Sequence, residues 1–131
     1  MRNFFQRFSL FLLLVLSLSA CAKKPAKLVF VQKEVQMGTI DKSQMKRELT
    51  VELKNKGGEA TRISDVRASC TCVRAFPAKR VIQPGEKVTV RIIVDTKDFL
   101  MGEFTKELGI YSNAKNSPVM LKISGTMKRI E

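Results

Sequence analysis

The sequence contains no histidine and no tryptophan, and the first absence excludes several kinds of catalytic site. A Ser-His-Asp triad or a Cys-His pair uses histidine as its general base, so this chain can build neither. Glycine-rich phosphate loops are also missing, because Gly57-Gly58 has the spacing of a turn and lacks that of a P-loop. The close carboxylates Asp95 and Asp98 fall at the end of a predicted strand, where surface acids are common. We therefore predict that the protein is not an enzyme, with thiol-disulfide exchange as the one exception.

No apolar run in the sequence is long enough to remain in a membrane as a spanning helix. The longest candidate, residues 8–20, is well short of the roughly 20 apolar residues that such a helix needs. Arg2 and Arg7 lie at its start, small residues lie at its end, and no acidic residue precedes Cys21. This arrangement is typical of a cleaved signal peptide, which we assign to residues 1–20.

The residues Leu18-Ser19-Ala20-Cys21 resemble the lipobox of bacterial lipoproteins. The resemblance implies a covalent lipid on the Cys21 sulfur, cleavage before Cys21 and acylation of the freed amine. Two or more acyl chains hold a protein stably at a membrane where one chain does not. We therefore predict an exported, membrane-anchored lipoprotein that faces the periplasm or the cell exterior. Its residues 21–27 form the lipidated N-terminus and a basic tether, and Ala22 favours the outer membrane if the cell has two. An ordinary signal peptide is the alternative.

The chain is strongly basic, with 24 lysine and arginine residues against 12 acidic ones. Removal of the signal peptide lowers the formal net charge from +12 to +10, because it takes two arginines and no acid. Export makes nucleic acid an improbable partner for this charge and leaves the membrane as the nearest polyanion. Lys23, Lys24 and Lys27 lie beside the predicted anchor, where each adds about 1 kcal/mol of attraction to an anionic surface. The alternative is a solvated basic surface that keeps the domain soluble.

The body of the chain, residues 28–131, is patterned as short strands. Apolar and polar residues alternate over residues 49–53 and 88–94, and turn residues recur at about 8 to 12 residue intervals. A helix near residues 41–45 is limited to a turn. We predict an all-β, antiparallel immunoglobulin-like sandwich of about seven strands in a single domain. Further strands are expected at residues 28–32, 62–66, 104–111 and 119–126.

Six short motifs follow one another along this body: Val35-Gln36-Met37-Gly38-Thr39-Ile40, Asn55-Lys56-Gly57, Ala68-Ser69-Cys70-Thr71-Cys72, Pro84-Gly85-Glu86, Gly102-Glu103-Phe104 and Tyr111-Ser112-Asn113. Their order resembles the bacterial domain-of-unknown-function family DUF1573. The resemblance implies an immunoglobulin-like sandwich related to PapD-like and HYDIN-type domains, in a family whose members are often exported and have no assigned activity. Thr71 stands where the usual Ser-Cys-Gly-Cys-Thr motif has glycine, which removes backbone freedom at that point.

Cys70 and Cys72 are the only cysteines left once Cys21 carries a lipid. In an extended strand their Cα atoms would lie about 6.6 to 7 Å apart, at the upper edge of disulfide geometry, so a bond between them requires a bend. Four interpretations remain open: a structural disulfide or two idle thiols, a Cu(I) site, thiol-disulfide exchange assisted by Arg67 and Arg74, and interchain pairing. Zinc is disfavoured because it prefers four nitrogen or sulfur ligands.

The predicted function is that of a membrane-tethered extracytoplasmic binding or scaffold domain. Its partners are the membrane, through the lipid anchor, and a protein of the cell envelope, since sandwich edges accept an added strand. No small-molecule substrate and no nucleic acid is expected. The alternative is a small Cu(I) or thiol-redox accessory protein that acts through Cys70 and Cys72, and no other cofactor is predicted.

Overall fold

The structure is a computed structural model that describes residue 3 and residues 23–129. The rest of the predicted signal peptide and Cys21, the predicted lipidation site, lie outside the described residues. No helix among the residues described is long and apolar enough to cross a membrane. The strands, in chain order, are β1 Leu28–Phe30, β2 Glu34–Asp41, β3 Lys46–Asn55, β4 Thr61–Ala68, β5 Val73–Pro77, β6 Val81–Ile82, β7 Lys87–Asp95, β8 Gly102–Ser112 and β9 Val119–Lys128.

These strands form two sheets that pack face to face. One sheet has the order β1-β3-β7-β5 and the other has the order β2-β9-β8-β4-β6. The pairs are antiparallel except for β2 and β9, which run parallel. The all-β sandwich predicted from the sequence is therefore confirmed, with one parallel pair at its edge.

The alternation of the sequence explains which side chains face inward. In β7 all four of Val88, Val90, Ile92 and Val94 are buried, while in β3 Val51 and Leu53 are buried and Leu49 is half-buried. The buried apolar side chains described all come from residues 26–127. Because the sandwich fills its described core from this range, a protein that lacks residues 1–21 keeps every described core contact.

Three strands do not appear in the sequence pattern, and each has a physical reason. The period-two pattern of β2 is broken by a bulge between Gln36 and Thr39, where Gly38 has a φ of +68°. β5 and β6 are short edge strands, which bury few side chains and so carry a weak pattern. The expected turn at residues 41–45 is present, since Gln44 N donates to Asp41 O at 2.9 Å.

The sandwich has two ends that carry different features. We call the end formed by residues 24–27, 56–58 and 113–116 the tether end, and the end formed by residues 41–45, 69–72 and 95–101 the disulfide end. β3 runs from Lys46, which pairs with Asp95, to Asn55, which pairs with Leu28. At about 3.4 Å per residue, this ten-residue strand separates the two ends by roughly 30 Å.

Candidate functional site

Cys70 and Cys72 are joined by a disulfide in the turn that carries the chain from β4 to β5. Their Cα atoms lie 5.2 Å apart, within the usual range for a disulfide, because residues 69–72 bend. The turn is fixed to both sheets: Ser69 N donates to Glu107 O at 2.8 Å, and Asp95 N donates to Cys72 O at 2.7 Å. The disulfide therefore lies where one sheet passes into the other.

The chemistry open to this cysteine pair depends on its oxidation state. A disulfide offers no thiolate, so the pair does not fit Cu(I) until it is reduced. In residues 23–129 no group of three or more histidine, cysteine, aspartate or glutamate side chains is placed to hold a metal ion. Both cysteines are half-buried, and Thr71 between them is exposed.

Beside this turn, the edges of the two sheets leave an apolar groove, which we call the edge groove. β6 pairs only with Thr61 and Arg62 of β4, so residues 64–68 have no strand partner on the side away from β8 within the described chain. Among the strands described, β5 pairs with β7 alone. The edge groove lies between these two unpaired edges, and its lining residues are Val66, Ala68, Val73, Arg74, Ala75, Phe76 and Leu108.

The backbone of β5 presents hydrogen-bonding groups to the edge groove. Asp95 N donates to Cys72 O and Ala78 N donates to Thr89 O, so even-numbered residues of this segment bond to β7. Ala75 consequently directs its N–H and C=O outward, and Pro77 has no N–H to offer. The edge can accept a short added strand but has few donors to hold a long one.

Arginine side chains surround the edge groove. Arg74 lines it, and the Arg91 guanidinium lies 5.2 Å from the centre of the half-exposed Phe76 ring. On the outer face of β4, Arg67 donates to Asp65 at 2.7 Å and lies 4.9 Å from the centre of the Tyr111 ring. This hydrogen bond, together with one from Val66 N, lowers the pKa of the Asp65 carboxyl below its ordinary value. Since Arg67 pairs with Asp65 and Arg91 lies 3.8 Å from the Glu48 carboxylate, Arg74 is the lining cation that no carboxylate neutralises in the described chain.

At the tether end, residues 24–27 lie against the sandwich as a docked segment. Lys56 N donates to Lys27 O at 2.8 Å, and Gly58 N donates to Lys24 O at 3.0 Å. From the other sheet, Lys115 N donates to Ala26 O at 3.2 Å. The chain is therefore fixed to the domain from Lys24 onward, four residues before β1 begins.

Glycine is required at the turn that receives this segment. A β-carbon at Gly57 would lie 2.5 Å from Ala26 Cα and 2.7 Å from Lys27 N, closer than packed atoms allow. A β-carbon at Gly58 would lie 3.0 Å from Lys24 N. The pair Gly57-Gly58 thus permits close approach of two backbone segments, in addition to making the turn.

The docked segment brings lysines from three parts of the chain together. Lys24 and Lys27 lie beside Lys56 of the β3–β4 turn and Lys115 of the β8–β9 loop, and all four are exposed. We call the cleft that these lysines line, of about 470 Å³, the basal cleft. None of the four forms an ion pair with a carboxylate in the part of the chain that is described.

The predicted site residues fall at opposite ends of the domain. Cys70 and Cys72 lie at the disulfide end, whereas Lys24 and Lys27 lie at the tether end with Lys23 exposed beside them. Sequence reasoning missed Lys56 and Lys115, because only the topology brings them to the tether. It also missed Phe76 and the edge groove. A signal for this strand was available, because apolar residues occupy alternate positions from Val73 to Pro77.

The model of the family described as "Protein of unknown function (DUF1573)" matches residues 28–127. A search among curated proteins finds no match.

Solved structures share the fold at low sequence identity. A protein of unknown function from Porphyromonas gingivalis W83 is 20% identical with a TM-score of 0.68; the match covers 82% of this chain and 50% of that protein, so this chain spans about half its length. The ASH/PapD-like domain 7 of human CEP192 is 13% identical with a TM-score of 0.63, over 87% of this chain and 94% of that domain. The periplasmic chaperone SfaE is 10% identical with a TM-score of 0.54, over 80% and 59% respectively. At these identities the likeness establishes a PapD-like sandwich fold and no activity.

Proposed function

The chain belongs to the DUF1573 family of proteins of unknown function, and from this premise we propose that it is a membrane-tethered extracytoplasmic binding domain. It holds an extended segment of another cell-envelope protein in the edge groove between β4 and β5. One observation carries the proposal: two strand edges that have no strand partner among residues 23–129 flank an apolar groove. Exposed sheet edges bind extended peptides through main-chain hydrogen bonds, and side-chain pockets give such binding its specificity.

The chemistry of the groove defines the segment that it accepts. Half-buried Val66, Ala68 and Ala75 receive apolar side chains at every second position. Arg74, which lines the groove and forms no ion pair within the described chain, favours acidic residues flanking these apolar positions. The partner segment is therefore short, extended, apolar on one face and acidic at its borders. SfaE, which has the same fold, is itself a periplasmic chaperone.

The test uses a photo-crosslinking amino acid in the full-length protein, expressed in cells. At position 75 it is expected to capture one envelope protein, and the crosslinked segment has the alternating apolar pattern with acidic borders. The matched control places the same amino acid at Thr105, which is exposed on β8. Equal capture of that partner from position 105, or a crosslinked segment without the pattern, would overturn the proposal.

A peptide copied from the captured segment then tests strand addition directly. Hydrogen exchange at the Ala75 amide is expected to slow on peptide binding, because this amide points away from β7. The variant Ala75→Arg fills the groove and is expected to weaken peptide binding at least tenfold, whereas Thr105→Arg leaves it unchanged. Unaltered exchange at Ala75 in the bound state would show that no strand is added.

A second candidate function is thiol-disulfide exchange through Cys70 and Cys72, favoured by the half-exposed position of their disulfide beside Arg74. A partner thiolate attacks one sulfur, a mixed disulfide forms, and the other cysteine leaves as a thiolate; a second partner thiol completes the two-electron reduction. The reduced pair is also the form that would bind Cu(I).

The protein without residues 1–21 tests this candidate by mass spectrometry after alkylation. Millimolar reduced glutathione is expected to expose two alkylatable thiols, and the reduced protein then takes up one Cu(I), which Cys70→Ser abolishes. A disulfide that survives this treatment removes both the exchange and the copper function. The peptide-binding proposal is unaffected by that result, since it requires no thiol.

A further inference from the structure

We propose that the basal cleft binds the phosphate headgroups of acidic phospholipids and thereby fixes the orientation of the domain on its membrane. The proposal rests on the proposed anchor at Cys21 for its location. It adds Lys56 and Lys115 to the membrane-contacting surface, and it specifies which end of the sandwich faces the lipid.

The proposed anchor at Cys21 lies close to the folded domain. Lys24 is held by the Gly58 amide, so the chain between Cys21 and the domain contains only Ala22 and Lys23. Three residue steps reach at most about 11 Å. A lipid on Cys21 consequently keeps the tether end against the headgroups, near the Debye length of about 8 Å at physiological salt.

The surface that the anchor holds near the membrane is positively charged. Lys24, Lys27, Lys56 and Lys115 line one cleft, and Lys23 precedes it. Within the described chain, Glu59 is the acidic residue of the adjoining turn, and it forms no ion pair with these lysines. A cleft of several unpaired lysines attracts the phosphate oxygens of anionic headgroups.

Hydrogen bonds hold the basal cleft rigidly on the sandwich. The Asn116 side chain both accepts from Leu28 N at 3.1 Å and donates to Leu28 O at 2.7 Å, and Asn55 Oδ1 accepts from Lys27 N at 3.3 Å. These contacts fix the docked segment relative to both sheets. Headgroup binding at the cleft therefore orients the whole sandwich and holds the disulfide end, roughly 30 Å away, clear of the membrane.

The first experiment measures sedimentation of the lipid-free protein, residues 22–131, with vesicles. Vesicles of phosphatidylcholine with 30% phosphatidylglycerol are expected to bind it, and pure phosphatidylcholine vesicles are not. Lys56→Gln combined with Lys115→Gln lowers the partition coefficient roughly 30-fold, as the loss of two lysines at about 1 kcal/mol each implies. The control, Lys46→Gln combined with Lys97→Gln, removes the same charge at the disulfide end and changes it less than threefold.

The outcomes separate the cleft from general charge. Equal losses in the two double variants would overturn the proposal, because binding would then follow net charge alone. Displacement from the vesicles by inorganic phosphate at the concentration of lipid phosphate would also overturn it, in favour of a site for free phosphate.

The second experiment measures orientation of the full-length protein in native membranes with an amine-reactive reagent. Lys56 and Lys115 are expected to be protected at least fivefold relative to Lys46 and Lys97, as read from peptide masses. Failure of the anchor is distinguishable from failure of the cleft: without a lipid on Cys21 the protein leaves the membrane fraction in a high-salt wash, which screens the lysines, yet the vesicle result for residues 22–131 is unchanged. Equal labelling of the two lysine pairs in the membrane-bound protein would refute the orientation.

Discussion

Asn55 connects three parts of the sandwich through one buried amide. Its Oδ1 accepts from Lys27 N and from Gly57 N, and its Nδ2 donates to Glu59 O and to Ile82 O. A buried amide with every hydrogen bond made is stable, but its removal leaves several backbone groups without partners. The final residue of β3 therefore joins the docked segment, the β3–β4 turn and β6.

We predict that Asn55→Ala lowers the free energy of unfolding by roughly 3 kcal/mol, because the backbone groups left unsatisfied each cost about 1 to 3 kcal/mol. Urea unfolding of residues 22–131 measures the change. Asn113→Ala is the matched control: this exposed amide accepts from Thr61 Oγ1 and Arg62 N, so its loss leaves one buried hydroxyl without a partner and costs about 1 kcal/mol. A smaller loss at Asn55 than at Asn113 would contradict this assignment.

The contact between Asp65 and Arg67 depends on pH. The Arg67 guanidinium and the Val66 amide both donate to its carboxylate and lower its pKa, so these contacts persist at neutral pH and are lost as the pH falls through that lowered pKa. We predict that Arg67→Gln raises the pKa of Asp65 toward its ordinary value, as followed by NMR titration of the side-chain carboxyl. Glu86, whose pKa is lowered by hydrogen bonds from the Lys79 ammonium and the Gln83 amide, serves as the reference, because it does not contact Arg67.

At the scale of elements, the β3–β4 turn determines where the chain enters the domain. Gly57 and Gly58 let the docked segment lie against the turn, and the Lys56 amide continues the hydrogen bonding of β1 with β3 beyond Leu28. The turn therefore supplies both the space for the segment and one lysine of the basal cleft.

We predict that Gly57→Ala displaces the docked segment, because the added methyl group overlaps the backbone of Ala26 and Lys27. Overpacking of this kind costs about 1 to 3 kcal/mol of stability. Trypsin cleavage after Lys27, followed by mass spectrometry, measures the displacement and is expected to accelerate at least tenfold. Glu59→Ala, an exposed change in the same turn, leaves the cleavage rate unchanged. Unaltered cleavage in the glycine variant would show that the segment tolerates a β-carbon.

At the scale of the whole molecule, the two proposed surfaces lie on different regions of the sandwich. The basal cleft is at the tether end, and the edge groove approaches the disulfide turn, which joins its two flanking strands. A domain anchored at one end and open along a distant edge can bind a partner without steric conflict with the membrane.

The attachment of the whole protein to its membrane is tested at Cys21. Cys21→Ala removes the site of the proposed lipid, so the variant is expected to leave the membrane fraction when cells are washed at high salt, whereas the wild-type protein stays bound. High salt screens the contribution of the basal cleft, which isolates the lipid as the remaining attachment. Immunoblotting of the two fractions measures the outcome. Retention of the variant after the wash would show that the attachment is not the lipid.

The sandwich and most of its strands could be predicted from the sequence alone. Alternation in β3 and β7 is a local property, because each inward side chain is chosen by burial on one face of its own strand. The turn residues and the family motifs, including Asn55-Lys56-Gly57, supplied the remaining order. The edge strand β1 was predicted, but β2, β5 and β6 were not: a bulge breaks the alternation of β2, and β5 and β6 bury few side chains.

Which residues share a surface can be seen only in the tertiary structure. Lys27, Lys56 and Lys115 are far apart along the chain, and they meet because β1, the β3–β4 turn and the β8–β9 loop end at the same side of the sandwich. The bend that brings Cys70 and Cys72 within disulfide distance is likewise imposed by the passage from one sheet to the other. A pattern of period two specifies which face a side chain occupies, whereas proximity between elements requires the topology.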